Sequence, residues 1–359
     1  MALRASFNSG LSNIDTNRDL KLARAPAKPS LRETRSPRPG GAKRDDTTMR
    51  ISRTEQGRTR QRTLRSAIGC VGTGLHTGCR SALTLRPAPV DAGIRFVRED
   101  RPGSSPIPAR AHAIADTTRC TRLEGPDGTP VHTVEHLMAA LAAWGIDNVV
   151  IALDGPEVPA MDGSARPFFF LLSCAGIVEQ DAPRAVVEVL RPVTVHHGER
   201  SASLRPHAGF AVDMTIDFTH PLIGEQHIAL EVDAVSFPEQ LAGARTFGFA
   251  ADVASLRAKG LARGGSLDNA VVVADHGVLN PEGLRWADEF VRHKALDAVG
   301  DLYLGGAIAG RFVGRGSGHM LHAKLLQRLF SEPGACRLAA PAGAHDPSVP
   351  HPAAQLGAD

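Results

Sequence analysis

In the segment FVRHKALDAVGDLYL, His293 and Asp297 stand four residues apart, which puts an imidazole and a carboxylate on one helix face, one turn from each other. Asp301 extends the stripe by a further turn, and Phe290, Leu296, Val299 and Leu302 beside it read as core. Neutral imidazoles and a carboxylate suit zinc, and a catalytic zinc site takes three protein ligands and keeps an open position for water. A third ligand is available upstream, in HTVEHLMAALAAWGIDN, where His136 falls near the start of a helix. Glu135 beside it points about a quarter turn away, which makes it a poor second ligand from that face. It is well placed instead to take a proton from water, whose pKa an open zinc site lowers towards about 7. A rival in the same stretch pairs His132 with His136 as H-x-x-x-H, a spacing that differs from the zincin motif H-E-x-x-H. Spacing alone does not exclude it, although a cap at Thr133 would leave His132 outside the helix.

A hydrolase also needs an acid for the leaving group and a donor for the oxyanion. In GRGSGHMLHAK, His319 follows a glycine-rich turn from which an acid can project, and in GARTFGF the Thr246 hydroxyl can donate to a tetrahedral intermediate. Singly, each has a plainer reading: His319 as a cap or surface histidine, Thr246 as a turn hydroxyl, His293 with Asp297 as a surface pair. Competing motifs fail. GTGLHTG does not fit G-x-G-x-x-G, no G-x-x-x-x-G-K-[ST] occurs, and GRGSG is not the nucleophile elbow G-x-S-x-G.

The elements that must position these residues follow from periodicity. Val134, Leu137, Met138 and Leu141 obey the i, i+3, i+4, i+7 rule, with Thr133 as the expected N-cap and Gly145 as the left-handed stop. Upstream, QRTLRSAIGCVGTGLHTG and SALTLRPAPV read as strand, glycine-rich turn and strand. Downstream come the strand NVVIAL, the turn MDGSARP and a second buried helix in FFFLLSCAGI, and then EQDAPRAV, about 179–186, as the linker. The order then repeats. Strands AVVEVL, VTVHH and FAVDMTIDF precede helices around PEQLAGARTF and ADVASLRAKG, the strand NAVVVA, a long helix in ADEFVRHKALDAVGDLYLGG, and the closing stretch AGRFVGRGSGHMLHAKLLQRLF. Two α+β halves result, one over 61–183 and one over 184–332, with a leader over 1–60 and a flexible tail over 333–359.

Bulk composition narrows the partners. The 359 residues carry a net charge of +3, yet residues 1–60 hold 14 Lys and Arg against 6 Asp and Glu, so the remainder is at −5. Only the leader is basic, and its Pro, Ser, Thr and Gly content predicts disorder. Translation starting at Met49 would make most of it spurious. A body at −5 argues against extended binding of a nucleic-acid backbone, and no run of eighteen apolar residues is present to cross a bilayer. Cys70, Cys79, Cys120, Cys174 and Cys336 are scattered without a C-x-x-C pair, which fits reduced thiols in a cytoplasm.

With CVGTGLHTG, TLRPAP, TVEHL, GIDN, MDGSA, ARTFGF, FVRHKALDAVGD and SGHMLHAKLL in this order, the stretch from about Gln61 to Phe330 resembles one family. That family is the zinc-dependent UDP-3-O-acyl-N-acetylglucosamine deacetylases of lipid A biosynthesis. The resemblance implies one zinc ion on His136, His293 and Asp297, Glu135 as general base, His319 as general acid, Asp301 orienting His319, and Thr246 assisting the oxyanion. It further implies that Lys294 binds substrate near the nucleotide sugar, that Phe247 lines the substrate site, and that Ala250, Val253, Gly265, Ser266, Leu267, Ala270 and Val272 line a passage for the acyl chain in the second domain. By pattern alone those seven are ordinary core. The implied fold is an α+β layered sandwich of two similar domains, helices between sheets, with the site at their interface. The implied reaction, hydrolysis of the acetamide of UDP-3-O-[(3R)-3-hydroxyacyl]-N-acetylglucosamine, is the committed step of lipid A synthesis, carried out in the cytoplasm.

The sequence departs from the family pattern before the SGH turn, where Gly316 stands in place of a lysine, with Arg315 beside it as a substitute charge for a phosphate. His132 matches no functional position, and the leader has no counterpart. Two imidazoles and a carboxylate also accept iron or cobalt. The expected partner is the small-molecule substrate, with no nucleic acid, no stable membrane insertion, and a monomer as the favoured state. Alternatives are a zinc amidohydrolase for another N-acyl sugar and a catalytically silent metal- or nucleotide-binding module.

Overall fold

A computed structural model describes residues 60–339; the leader before Arg60 and the tail after Ala339 lie outside the described residues. The first half builds a five-stranded sheet in the order Ile68–Thr73, Arg80–Pro87, Val149–Leu153, Ile94–Arg98, Ile107–Pro108. All its pairings are antiparallel except that of Ile94–Arg98 with Val149–Leu153. Alternation accounts for its one-sided burial: in Arg80–Pro87 the side chains of Ser81, Leu83 and Leu85 are buried. The second half builds a seven-stranded sheet around Ala307–Arg315, which accepts Val186–Val189 and Phe210–Phe218 in parallel and Arg200–Arg205 antiparallel. Val212, Met214 and Ile216 form the buried face of Phe210–Phe218. The described chain is a mixed α+β fold, and none of its helices is long and apolar enough to cross a membrane.

Six α-helices are present among the described residues: α1, Glu135–Trp144; α2, Arg166–Ala175; α3, Ser236–Gln240; α4, Val253–Ala258; α5, Glu289–Tyr303; and α6, His319–Ser331. Helix α1 packs on α5 and α2, and α5 also packs on α6 and on Phe210–Phe218. Both α1 and α5 are buried nearly all round. Helix α1 is apolar beyond its first turn, whereas α5 buries Glu289, His293, Asp297 and Asp301 along with its apolar residues, and these need partners inside the protein. Gly145 ends α1 in the left-handed region, φ +63°, as its position after the periodic run predicts.

Several expectations need correction. Thr133 does not cap α1: its φ is +59°, its hydroxyl donates to Glu157 Oε1 at 2.7 Å, and Val134 occupies the cap position. A buried carboxylate is the stronger acceptor, and it draws Thr133 away from the helix. The stretch read as a linker is mostly strand, because Ile177–Pro183 pairs with Arg60–Leu64, a partner more than a hundred residues away that local sequence does not reveal. The tail is ordered at its start, where Cys336–Ala339 pairs antiparallel with Val186–Val189. Helix α2 is only half buried; Phe168 and Leu172 face inward while Phe170 is exposed. Strands Arg200–Arg205 and Gly224–Glu231 were not anticipated.

The tightest junction is that of α1 with α5. A Cβ built on Gly300 would run into the carbonyl oxygen of Glu135 and meet the backbone nitrogen of Ala139 at 3.0 Å. Backbone atoms cannot rotate aside as a flexible side chain can. Gly300→Ala is therefore expected to cost at least about 2 kcal/mol, a drop of roughly 5 °C or more in Tm. Thermal unfolding followed by circular dichroism measures it, and an unchanged Tm would show that the two helices separate freely.

Candidate functional site

Helices α1 and α5 bring His136, His293 and Asp297 together, with the potential ligand atoms within 4.8 Å of one another. His136 Nε2 lies 3.5 Å and His293 Nε2 3.4 Å from Asp297 Oδ1. His293 Nδ1 donates to the Ala244 carbonyl at 3.1 Å, which leaves the Nε2 lone pair facing Asp297. Burial pushes the His293 pKa down to about 4, so its ring is neutral, as a metal ligand must be. Asp297 Oδ2 accepts a hydrogen bond from Lys294 Nζ at 2.6 Å, while Oδ1 is buried without any hydrogen-bond partner. Leaving a charged acceptor unpaired inside a protein is costly. A divalent cation between the two Nε2 atoms and Oδ1 would remove that cost, so the residues present fit one.

A second gathering, Asp301 with His319 and His322, has a different character. Both ring Nδ1 atoms lie 2.7 Å from Asp301 Oδ2, and the Thr121 hydroxyl donates to Oδ1 at 2.5 Å. This carboxylate is fully hydrogen-bonded and has no orphaned oxygen to offer a metal.

The base and acid candidates flank the metal-fitting group. Glu135, 3% exposed in the first turn of α1, accepts the Thr121 backbone N–H at Oε2. Burial pushes its pKa up to about 7, against the pull of His319 and His136. His319 opens α6 after the extended Gly318, and its Nε2 lies 3.9 Å from Glu135 Oε1 and 4.0 Å from Asp297 Oδ2. Burial disfavours its charge, but the Asp301 carboxylate outweighs burial and pushes the pKa up to about 9. One group is thus poised near neutrality to accept a proton and the other holds one to give, the division of roles that acid–base catalysis uses.

The segment before α5 supplies the opposite wall. Buried Arg245 pairs with Glu289 at the first turn of α5, Nε to Oε1 at 2.8 Å, and its backbone N–H donates to the same oxygen at 3.0 Å. With Arg245 pinned, the Ala244 carbonyl reaches His293 while Thr246 and Phe247 face a cavity of about 610 Å³. Glu135, His136, His293, Lys294, Asp297 and His319 line the same cavity. The Phe247 ring meets Phe290 and His293 edge-on, with centroids 4.9 and 6.2 Å apart.

Not every expected residue is in this wall. Ala250, Val253, Gly265, Ser266, Leu267, Ala270 and Val272 lie outside the cavity lining, on the stretch that runs from the strand Phe247–Phe249 through α4 to the strand Val271–Ala274. Arg315 is exposed and absent from the lining, whereas Gly316, at φ +56°, belongs to it. His132 forms a backbone bridge with Glu157 outside α1 and does not belong to the group of His136, His293 and Asp297. Sequence reading missed the polar residues that hold the site from afar. Thr121 joins Glu135 to Asp301, His322 shares Asp301 with His319, and Arg119, Arg200 and His76 line the cavity. Of these only His76 carried a local signal, inside GLHTG.

Comparison with known proteins identifies the family. The family model described as LpxC, UDP-3-O-acyl N-acetylglycosamine deacetylase, matches residues 61–331. The chain is similar to the UDP-3-O-acyl-N-acetylglucosamine deacetylase of Shewanella violacea, 47% identical over 281 residues, 77% of this chain and 92% of the relative. It is also similar to the protein of that name from Pseudoalteromonas atlantica, 48% identical over 274 residues, 76% of this chain and 90% of the relative.

The orphaned Asp297 oxygen yields a direct test. Purified protein is expected to carry about one divalent metal per chain, and His136→Ala or Asp297→Ala less than about a tenth of that, measured by plasma mass spectrometry. Full metal content in either variant would place the ion elsewhere.

Proposed function

The chain belongs to the family of UDP-3-O-acyl N-acetylglycosamine deacetylases, and on that premise we propose how its own residues carry out the reaction. It hydrolyses the N-acetyl group of UDP-3-O-[(3R)-3-hydroxyacyl]-N-acetylglucosamine to the free amine and acetate, a step of lipid A biosynthesis. The observation that carries the residue assignment is the buried Asp297 Oδ1 without a hydrogen-bond partner, faced by two imidazole Nε2 atoms.

His136, His293 and Asp297 would hold a zinc ion, which supplies a Lewis acid for the acetyl carbonyl and lowers the pKa of the attacking water. Glu135 accepts the proton of that water as its oxygen bonds to the acetyl carbon. The Thr246 hydroxyl, in the cavity wall, donates to the carbonyl oxygen as negative charge grows on it. His319 delivers its proton to the nitrogen as the carbon–nitrogen bond breaks, so the amine leaves neutral and acetic acid is released, ionising to acetate as its proton passes to solvent. Asp301 holds the His319 ring by its Nδ1 and stabilises the charged form. Lys294 keeps one Asp297 oxygen engaged and borders the substrate space. The passage residues from Ala250 to Val272 would take the acyl chain beyond the cavity. The cytoplasm is the fitting compartment, supported by five unpaired cysteines.

The test is acetate release from the acylated nucleotide sugar. Wild-type protein is expected to release acetate, while Glu135→Ala and His319→Ala each lose at least about 100-fold in kcat. Release at the same rate from the nucleotide sugar lacking the acyl chain would point to a different N-acyl sugar, and no release from folded, zinc-loaded protein would overturn the assignment.

A further inference from the structure

His322 stands one turn after His319 in α6, does not line the cavity and is fully buried, at 0% exposure. Burying an imidazole is costly unless its nitrogens are satisfied, and both are. Nδ1 lies 2.7 Å from Asp301 Oδ2, the oxygen that His319 Nδ1 also contacts at 2.7 Å. Nε2 lies 3.2 Å from Ser317 Oγ, and the ring meets Phe312 edge-on. The nitrogen facing a carboxylate carries the proton, so Nδ1–H donates to Asp301 while Nε2 accepts the Ser317 hydroxyl. Burial lowers the pKa of His322, in keeping with a neutral ring.

Asp301 is thereby clamped between elements. Thr121 holds Oδ1, and the two α6 imidazoles share Oδ2. With Oδ2 fixed, His319 has one direction for its Nδ1–H, and that direction sets its Nε2 towards Glu135 and Asp297. Without the second donor only Thr121 at Oδ1 and His319 itself would hold Asp301, and nothing independent of His319 would fix Oδ2.

We propose that His322 is a positioning residue for the reaction, holding Asp301 so that the His319 ring points its Nε2 at the departing nitrogen. The inference rests on His319 being the acid. His322→Asn keeps an N–H donor the same number of bonds from Cα as Nδ1, whereas His322→Leu has a similar branched shape and no donor.

The expected result is a kcat reduced about tenfold in His322→Leu with KM within about twofold, and a kcat within about threefold of wild type in His322→Asn. Wild-type kcat in the leucine variant, or equal losses in two folded variants, would overturn the proposal. His319→Ala runs alongside: if it keeps wild-type kcat, the acid assignment fails, and if it alone loses activity, only the role of His322 fails. Should the leucine variant not fold, Ser317→Ala takes its place, since it removes the partner of Nε2 and loosens the His322 ring against Asp301. A loss of about threefold or more in kcat is then expected, and no loss would overturn the proposal.

Discussion

Everything at the site depends on how closely α1 and α5 approach. Gly300 has no side chain where the carbonyl oxygen of Glu135 passes, so the two helices touch at backbone distance. That contact puts His136 within reach of the two α5 residues, His293 and Asp297, and sets Glu135 beside them. A wider crossing would leave His293 and Asp297 as an intrahelical pair with nothing opposite.

Bringing helices so near buries charge, and the surrounding structure answers each buried group with a named partner. Lys294 and the Ala244 carbonyl serve Asp297 and His293, and Thr121 serves Glu135 and Asp301. Glu289 serves Arg245. Asp297 Oδ1 and Ser81 Oγ are the only buried side-chain polar atoms among the described residues without a hydrogen-bond partner. Of the two, Asp297 Oδ1 alone is faced by imidazole nitrogens at the floor of a cavity, which is why its lack of a partner carries chemical meaning. The same low-dielectric setting separates the pKa values of Glu135 and His319. Burial raises the first; for the second burial acts downward and is outweighed by Asp301 together with Glu135 and Asp297.

Legibility in the sequence followed the distance to the partner. His293 with Asp297 was readable because the spacing and the helix period coincide, and Gly145 because a left-handed stop is a local property. His136 became convincing only beside them. Thr133 was misread because its real partner, Glu157, lies 24 residues on and outcompetes the helix terminus. Thr121 was invisible, since its acceptor Asp301 is 180 residues away. His322 sat in plain view within SGHMLHAK, but i, i+3 histidines on a helix carry no meaning until a carboxylate is placed between them. The strand Ile177–Pro183 and the ordered start of the tail were missed for the same reason, both depending on backbone partners far along the chain.

Glu157 shows how such distant partners shape the cavity. Its Oε1 accepts from the His76 backbone N–H and the Thr133 hydroxyl, and its Oε2 from the Thr77 backbone N–H and hydroxyl. Four donors on one fully buried carboxylate fix the turn that carries His76 into the cavity wall. A Cβ on Gly74 would strike Glu157, so glycine is required where the turn wraps the carboxylate. From its other side the turn accepts backbone N–H groups of Arg263 and Gly264 at the His76 and Leu75 carbonyls. The glycine-rich turn of the first half therefore bridges Glu157 and the stretch of the second half that carries Gly265, Ser266 and Leu267. Displacing either support would move the cavity wall and that stretch together.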